Sequence, residues 1–208
     1  MMTIEEARKY YKGAESGHDF DHVLRVLAMA ERLARAEGAD LEIVRAAALL
    51  HDIARVDEDE TRRDHAQLAA ERAATILQER GFPSDRINAV THAIAAHRFR
   101  GATVPRTLEA KVLFDADKLD SIGAIGIARA YAISGALGQR LWGPVAPDAI
   151  ATRDQRNSEH TAVAEFAVKL SKVRDRIFTE SARKIAEERH GYMAEFFARL
   201  DHEVNGDA

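Results

Sequence analysis

Residues 44–54 read VRAAALLHDIA, and the interpretation of the whole chain starts from this stretch. Ala46 to Leu50 are strong helix formers without a polar face, so the run predicts a helix that is buried nearly all round. His51 and Asp52 follow at the end of this helix. Burying a carboxylate costs free energy unless it is paired or binds a metal. The two residues are therefore a hydrogen-bonded pair inside the fold, a helix end that reaches solvent, or part of a metal site.

Outward from this stretch, apolar residues recur every three to four positions, which predicts an all-α fold. Gly38 is expected to end one helix and Ser84 to cap the start of another. Residues 142–156 lack this period and are predicted to form a long surface loop. The predicted helices span residues 3–12, 19–37, 40–55, 65–80, 84–98, 105–119, 122–139, 157–173 and 179–203.

Composition limits the class of protein. We predict a single domain over residues 1–208, with a core over about 15–140 and a C-terminal helical pair over about 157–203. The chain carries a net charge of -4 and no cysteine, which argues against a nucleic-acid polymer as partner and excludes disulfides and thiolate metal sites. No signal peptide or membrane span is expected, and the default location is the cytoplasm. The charged run at residues 57–64 is predicted to be a solvated loop.

Two further stretches contain polar residues in apolar surroundings. His22 shares a helix face with apolar residues, as a metal ligand or a hydrogen-bonded core histidine would. Asp117 and Asp120 are three positions apart and near one helix face. They could instead be exposed and partly neutralised by Lys118. The sequence contains no Walker-type loop, no GxGxxG after a strand, no GxSxG and no HExxH, which argues against the chemistries that these motifs support.

The order of His22, the HD pair at His51 and Asp52, and Asp117 resembles the H…HD…D signature of the HD-domain superfamily of metal-dependent phosphohydrolases. The stretches GHDFDHVLRVLAMA, LLHDIA and DADKLDSIGAIGIARA are similar to those of small stand-alone bacterial HD hydrolases. The resemblance implies an HD-domain helical bundle with a C-terminal helical extension. It also implies that His22, His51, Asp52 and Asp117 bind a divalent metal.

Relatives with two metals use further histidines between the HD pair and the last aspartate. His65 and His97 occupy those approximate places here, but Ala96-His97-Arg98 stands where the two-metal pattern has adjacent histidines followed by Glu. We therefore expect one tightly bound ion, with His65 and His97 facing substrate or a weak second ion. Imidazole and carboxylate ligands favour Mn²⁺, Fe²⁺ or Ni²⁺, and Mg²⁺ is also acceptable.

The expected activity is hydrolysis of small phosphorylated molecules, with nucleotides preferred. A nucleotide phosphodiesterase, a nucleotide-sensing module with little turnover, and a di-iron oxygenase remain alternatives, and the oligomeric state is not predicted. The candidate catalytic residues are Asp52, Asp120 and His18, with Asp57 a further acid or base. The candidate substrate-binding residues are Arg25, His65, His97, Arg98, Lys118 and Arg129.

Overall fold

The computed structural model describes residues 2–11, 20–98, 101, 103–145 and 160–207. Within these residues the chain is α-helical and contains no strand, which confirms the all-α prediction. Short 3-10 turns occupy Arg55–Asp57, Leu170–Lys172 and Arg174–Arg176. The α-helices are α1 (Ile4–Arg8), α2 (Phe20–Glu37), α3 (Leu41–Leu50), α4 (Glu58–Thr61), α5 (His65–Glu79), α6 (Ser84–Ala96), α7 (Leu108–Leu119), α8 (Gly123–Ala136), α9 (Ala162–Val168) and α10 (Glu180–Asn205).

Local sequence signals set the boundaries of helices α2 and α3. His22 lies on α2, and His51 and Asp52 follow the end of α3. Gly38 has a φ of +78°, so it ends α2 in the left-handed conformation that glycine adopts without strain. Asp40 then caps α3, because its carboxylate accepts hydrogen bonds from the backbone N–H groups of Glu42 and Ile43. Helix α3 is buried from Ala46 to Leu50, as the apolar run predicted.

Several predicted boundaries are wrong. The helix predicted over residues 40–55 stops at Leu50, because His51 turns its ring back to the carbonyl oxygen of Ala48 and the chain continues in a turn. Ser84 is the first helical residue rather than the cap, since Pro83 already holds the extended conformation that precedes a helix. In place of the helix predicted over residues 157–173, the described residues contain α9 followed by 3-10 turns. Residues 146–159 lie outside the described residues.

The solvated loop predicted at residues 57–64 is right in part: residues 60–63 are exposed and residues 62–64 are not helical, but residues 57–61 belong to a 3-10 turn and a helix. Residues Arg55–Asp57 form a 3-10 turn, and α4 follows directly. The carboxylate of Glu58 is only 24% exposed and makes several ion pairs. Charge pattern alone could not reveal this, because two of its partners lie further along the chain: His65 begins α5, and Arg98 follows the end of α6.

The chain divides into two compact units, Met1–Lys118 with Phe178–Ala182, and Leu119–Ile177 with Arg183–Ala208. In the first unit, α3 packs on α2 and α6, and α5 packs on α6. In the second unit, the rings of Tyr131, Phe166, Phe196 and Phe197 form an aromatic cluster. The single-domain organisation predicted from length stays a prediction. No helix of the described residues is long and apolar enough to cross a membrane.

Candidate metal centre

Four side chains from three helices meet inside the first unit. Helix α2 contributes His22, the end of α3 contributes His51 and Asp52, and α7 contributes Asp117. The Nε2 atom of His22 lies 3.3 Å from Nε2 of His51 and 3.4 Å from Oδ1 of Asp117. The Oδ2 atom of Asp52 lies 3.6 Å from Nε2 of His51 and 3.9 Å from Nε2 of His22. These four residues are the ones that the sequence pattern selected as metal ligands.

A hydrogen bond to the backbone orients the ring of His51 so that its Nε2 atom could coordinate a metal. Its Nδ1 atom donates a hydrogen bond of 2.8 Å to the carbonyl oxygen of Ala48, which can only accept. The proton therefore sits on Nδ1, and the bare Nε2 faces His22 and Asp52. Burial lowers the pKa of His51 to about 4, so the ring is neutral at pH 7 and available as a ligand.

The two carboxylates of the cluster stay ionised despite their surroundings. Burial by itself would raise the pKa of Asp117, but Lys118 and His22 hold that pKa well below its usual range. Burial likewise opposes ionisation of Asp52, and the rings of His51 and His97 outweigh it and lower the pKa of this carboxyl. Two imidazoles beside two carboxylates form the mixed N/O donor set that divalent transition metals prefer.

A second group of side chains shares Asp52 with the first. His65, the first residue of α5, and His97, just after α6, place their Nε2 atoms 3.6 Å and 3.5 Å from Oδ1 of Asp52. The Nδ1 atom of His97 donates to the carbonyl oxygen of Ile94 at 2.6 Å, so its Nε2 is bare as well. Both histidines are buried, and the spacing of the three donors would also suit a metal ion.

The predicted substrate-binding cations of the first unit differ in their surroundings. Lys118 bonds to Asp117, and both side chains are nearly buried. Arg98 is bonded to Glu58 at 2.7 Å and to Asp64 at 3.0 Å, so two carboxylates already neutralise it. Arg25 lies half-buried on α2 one turn after His22, and it interacts with other protein groups.

Three other predicted site residues, Asp57, Asp120 and Arg129, form ion pairs in the described structure. Asp120 lies beyond the end of α7, in the second unit, where its carboxylate accepts a 3.0 Å hydrogen bond from Arg129. Both residues therefore form an ion pair within that unit. Asp57 pairs with Arg72. His18 lies outside the described residues.

Sequence reasoning missed two residues that support the site. The hydroxyl of Tyr11 donates to the carbonyl oxygen of Leu49 at 3.0 Å, just before the HD pair, and burial raises the pKa of this tyrosine. Glu58 bonds to Nδ1 of His65 at 2.9 Å. Glu58 lies three positions after Arg55, a helical ion-pair spacing that could have indicated local order. No sequence signal pointed to Tyr11.

Comparison with known proteins agrees with this geometry. A family model described as HD domain matches residues 19–122. The uncharacterized protein YpgQ of Bacillus subtilis is 37% identical over 195 residues, which cover 92% of this chain and 86% of YpgQ. The crystal structure of YpgQ in complex with ADP matches with a TM-score of 0.76 at 33% identity, covering 99% of this chain and all of that one. An HD-superfamily hydrolase from Bacillus thuringiensis matches with a TM-score of 0.74 at 33% identity, covering 97% and 94% of the two chains.

Proposed function

Because the chain belongs to the HD domain family, we propose that it is a divalent-metal-dependent phosphohydrolase that acts on small phosphorylated molecules, with nucleotides preferred. The single observation that carries the proposal is the convergence of His22, His51, Asp52 and Asp117 in a buried cluster. Two ionised carboxylates in one site repel each other, and Lys118 brings one positive charge against their two negative charges. A bound divalent ion supplies the opposite charge that this arrangement needs.

The donor set fits one divalent ion. His22, His51, Asp52 and Asp117 would hold it, and Mn²⁺, Fe²⁺ and Ni²⁺ suit two imidazoles and two carboxylates better than Ca²⁺ does. When bound, such an ion acidifies a water molecule and neutralises the charge that develops on phosphorus. No cysteine competes for the metal, because the chain has none.

The protein side chains have separate tasks in this proposal. Asp52 presents one carboxylate oxygen to His22 and His51 and the other to His65 and His97, so it connects the metal ligands to two proton carriers. The bare Nε2 of His97 can accept a proton, and once protonated it can donate a hydrogen bond to a phosphoryl oxygen. Lys118 holds Asp117 ionised and supplies positive charge beside the cluster.

Nucleotides are the first substrates to test. YpgQ, which shares 33% of its residues with this chain over nearly its whole length, was crystallised with ADP. ADP carries a phosphoanhydride bond and two phosphoryl groups that cations can neutralise. For this chain we propose Lys118 and Arg25 as phosphate-binding cations, because Lys118 lies beside Asp117 and Arg25 lies one helical turn after His22.

The deciding experiment measures turnover of a nucleotide panel with Mn²⁺. Nucleoside mono-, di- and triphosphates and cyclic nucleotides are incubated with the protein, and phosphate and pyrophosphate are quantified separately. We expect release from at least one linear nucleotide, complete loss after chelation, and recovery on adding Mn²⁺. Hydrolysis of cyclic nucleotides alone would identify a phosphodiesterase. Tight nucleotide binding without any product would refute the hydrolase proposal in favour of a sensing module.

A further inference from the structure

Glu58 is the centre of a polar network at the edge of the candidate metal centre. One carboxylate oxygen, Oε2, lies 2.9 Å from Nδ1 of His65 and 2.6 Å from Nη1 of Arg55. The other, Oε1, accepts from Nη1 of Arg98 at 2.7 Å. A carboxylate only accepts hydrogen bonds, so all three neighbours must present a proton to it.

The Nδ1 atom of His65 has two neighbours that demand opposite tautomers. Glu58 requires a proton on Nδ1, whereas the Nη1 atom of Arg55, 2.9 Å away, can only donate and would require a lone pair there. On the other side of the ring, Nε2 is 3.6 Å from Oδ1 of Asp52, too far for a good hydrogen bond. A proton on Nε2 would therefore gain no close partner.

The contacts favour one of the two tautomers. With the proton on Nδ1, His65 donates to the ionised Glu58, and Arg55 still has its own 2.6 Å bond to the same carboxylate. With the proton on Nε2, the carboxylate faces a lone pair and that bond is lost. Glu58 therefore decides the tautomer of His65, because Arg55 alone would favour a proton on Nε2.

We propose that Glu58 is a positioning residue that keeps the proton of His65 on Nδ1 and so presents a bare Nε2 to the Asp52 side of the site. A bare Nε2 can accept a proton or bind a cation, and a protonated Nε2 can do neither. Without Glu58, Arg55 donates to Nδ1 and the ring proton moves to Nε2. The link from this tautomer to turnover rests on the proposed function, but the tautomer itself does not.

The tautomer can be measured directly on the full-length protein without its metal. Long-range ¹H–¹⁵N spectra of ¹⁵N-labelled protein, recorded in EDTA near pH 7.5, distinguish the protonated ring nitrogen from the bare one. The His65→Gln variant assigns the signals by their disappearance. We expect His65 to carry its proton on Nδ1 in more than roughly nine molecules in ten in the wild type, and in fewer than about half in Glu58→Ala.

Three further variants separate the tautomer effect from a general loss of charge or structure. Glu71→Gln removes a carboxylate from an exposed ion pair with Arg63 and should leave the His65 signals unchanged. In Glu58→Ala with Arg55→Met, the competing donor is also gone, so part of the Nδ1–H population should return. Should Glu58→Ala fail to fold by circular dichroism, Glu58→Gln replaces it, with a smaller shift because its amide oxygen still accepts.

Kinetics with Mn²⁺ then test whether the tautomer matters for turnover. Glu58→Ala should lower kcat by about 10–100-fold while KM changes by less than about threefold, the pattern of a lost contact that orients a site side chain. An unchanged His65 tautomer in Glu58→Ala overturns the proposal, as does a shifted tautomer with unchanged kcat. A shifted tautomer in a protein that hydrolyses no phosphate compound leaves Glu58 as the positioning residue and refutes the proposed function alone.

Discussion

Replacing Asp117 with Asn is expected to abolish stabilisation by metal, whereas replacing Asp115 with Asn lowers stability and leaves that effect intact. The two aspartates lie two residues apart on α7, and both are ionisable residues in apolar surroundings. Asp117 faces His22 at 3.4 Å in the candidate metal centre. Asp115 is fully buried and accepts hydrogen bonds from the backbone of Phe178 and from both the backbone and the hydroxyl of Thr179.

The expected magnitudes follow from these contacts. Mn²⁺ at about 100 times its dissociation constant stabilises the folded state by about 2.7 kcal/mol. For a chain of this size that corresponds to a rise in Tm of about 5–10 °C, which Asp117→Asn should lose. Asp115→Asn replaces one acceptor oxygen with a donor, and an unsatisfied buried donor costs about 1–3 kcal/mol. Its Tm should therefore fall by roughly 2–12 °C with or without Mn²⁺.

The assay is thermal unfolding of both variants and the wild type, after chelation and after titration with Mn²⁺. The Asp115→Asn variant is the matched control, because it makes the same chemical change on the same helix. Retention of the full Mn²⁺ effect by Asp117→Asn would refute the assignment of Asp117 as a ligand. If Asp115→Asn is folded before heating but Mn²⁺ no longer raises its Tm, the separation of a structural role for Asp115 from a metal-binding role for Asp117 would be refuted.

Three further outcomes are expected. His51→Ala should lose both turnover and the Mn²⁺-dependent rise in Tm. If Mn²⁺ does not change the Tm of the wild type and the substitution lowers that Tm strongly, His51 and Asp52 form an internal hydrogen-bonded pair instead. Gly126→Ala should destabilise the protein by about 1–3 kcal/mol in urea titrations, since its Cβ would clash with the carbonyl oxygen of Ser121, and an unchanged midpoint would contradict this close approach. Arg80 and a backbone hydrogen bond lower the pKa of Glu6 to about 2. Its ionised form therefore stabilises the fold above its usual pKa of 4.5, and this contribution is lost as the pH falls through 2. The Tm difference between wild type and Glu6→Gln should accordingly be present at pH 6 and absent near pH 2, and a difference that does not change with pH would contradict the ion pair.

The sequence predicted the helices well where local signals decide their boundaries. The apolar period and Gly38 placed the end of α2 at its observed position, Glu37. It failed at the end of α3, where the ring of His51 bonds back to Ala48 and the helix stops five residues before the predicted end. A side-chain hydrogen bond competes with helix propensity there, and propensity is only a weak local preference.

The three aspartates of α7 and the turn after it illustrate what the sequence could not resolve. Asp115, Asp117 and Asp120 stand in the same apolar context, and spacing paired Asp117 with Asp120. The structure instead gives each a different partner: Thr179 for Asp115, His22 for Asp117 and Arg129 for Asp120. Two of these partners are more than sixty positions away, so only the folded chain could distinguish a buried anchor, a member of the candidate metal centre and an ion pair.

Charge distribution gives a physical reason to expect one tightly bound ion although two groups of donors share Asp52. The first group has the carboxylates of Asp52 and Asp117, and Lys118 offsets part of their charge. The second group has the carboxylate of Asp52 alone, with two imidazoles. Arg55 and Glu58 lie equally close to Nδ1 of His65, so their opposite charges largely cancel there. Electrostatics therefore favour the metal beside His22 and His51, and leave His65 and His97 to substrate, protons or a weaker ion.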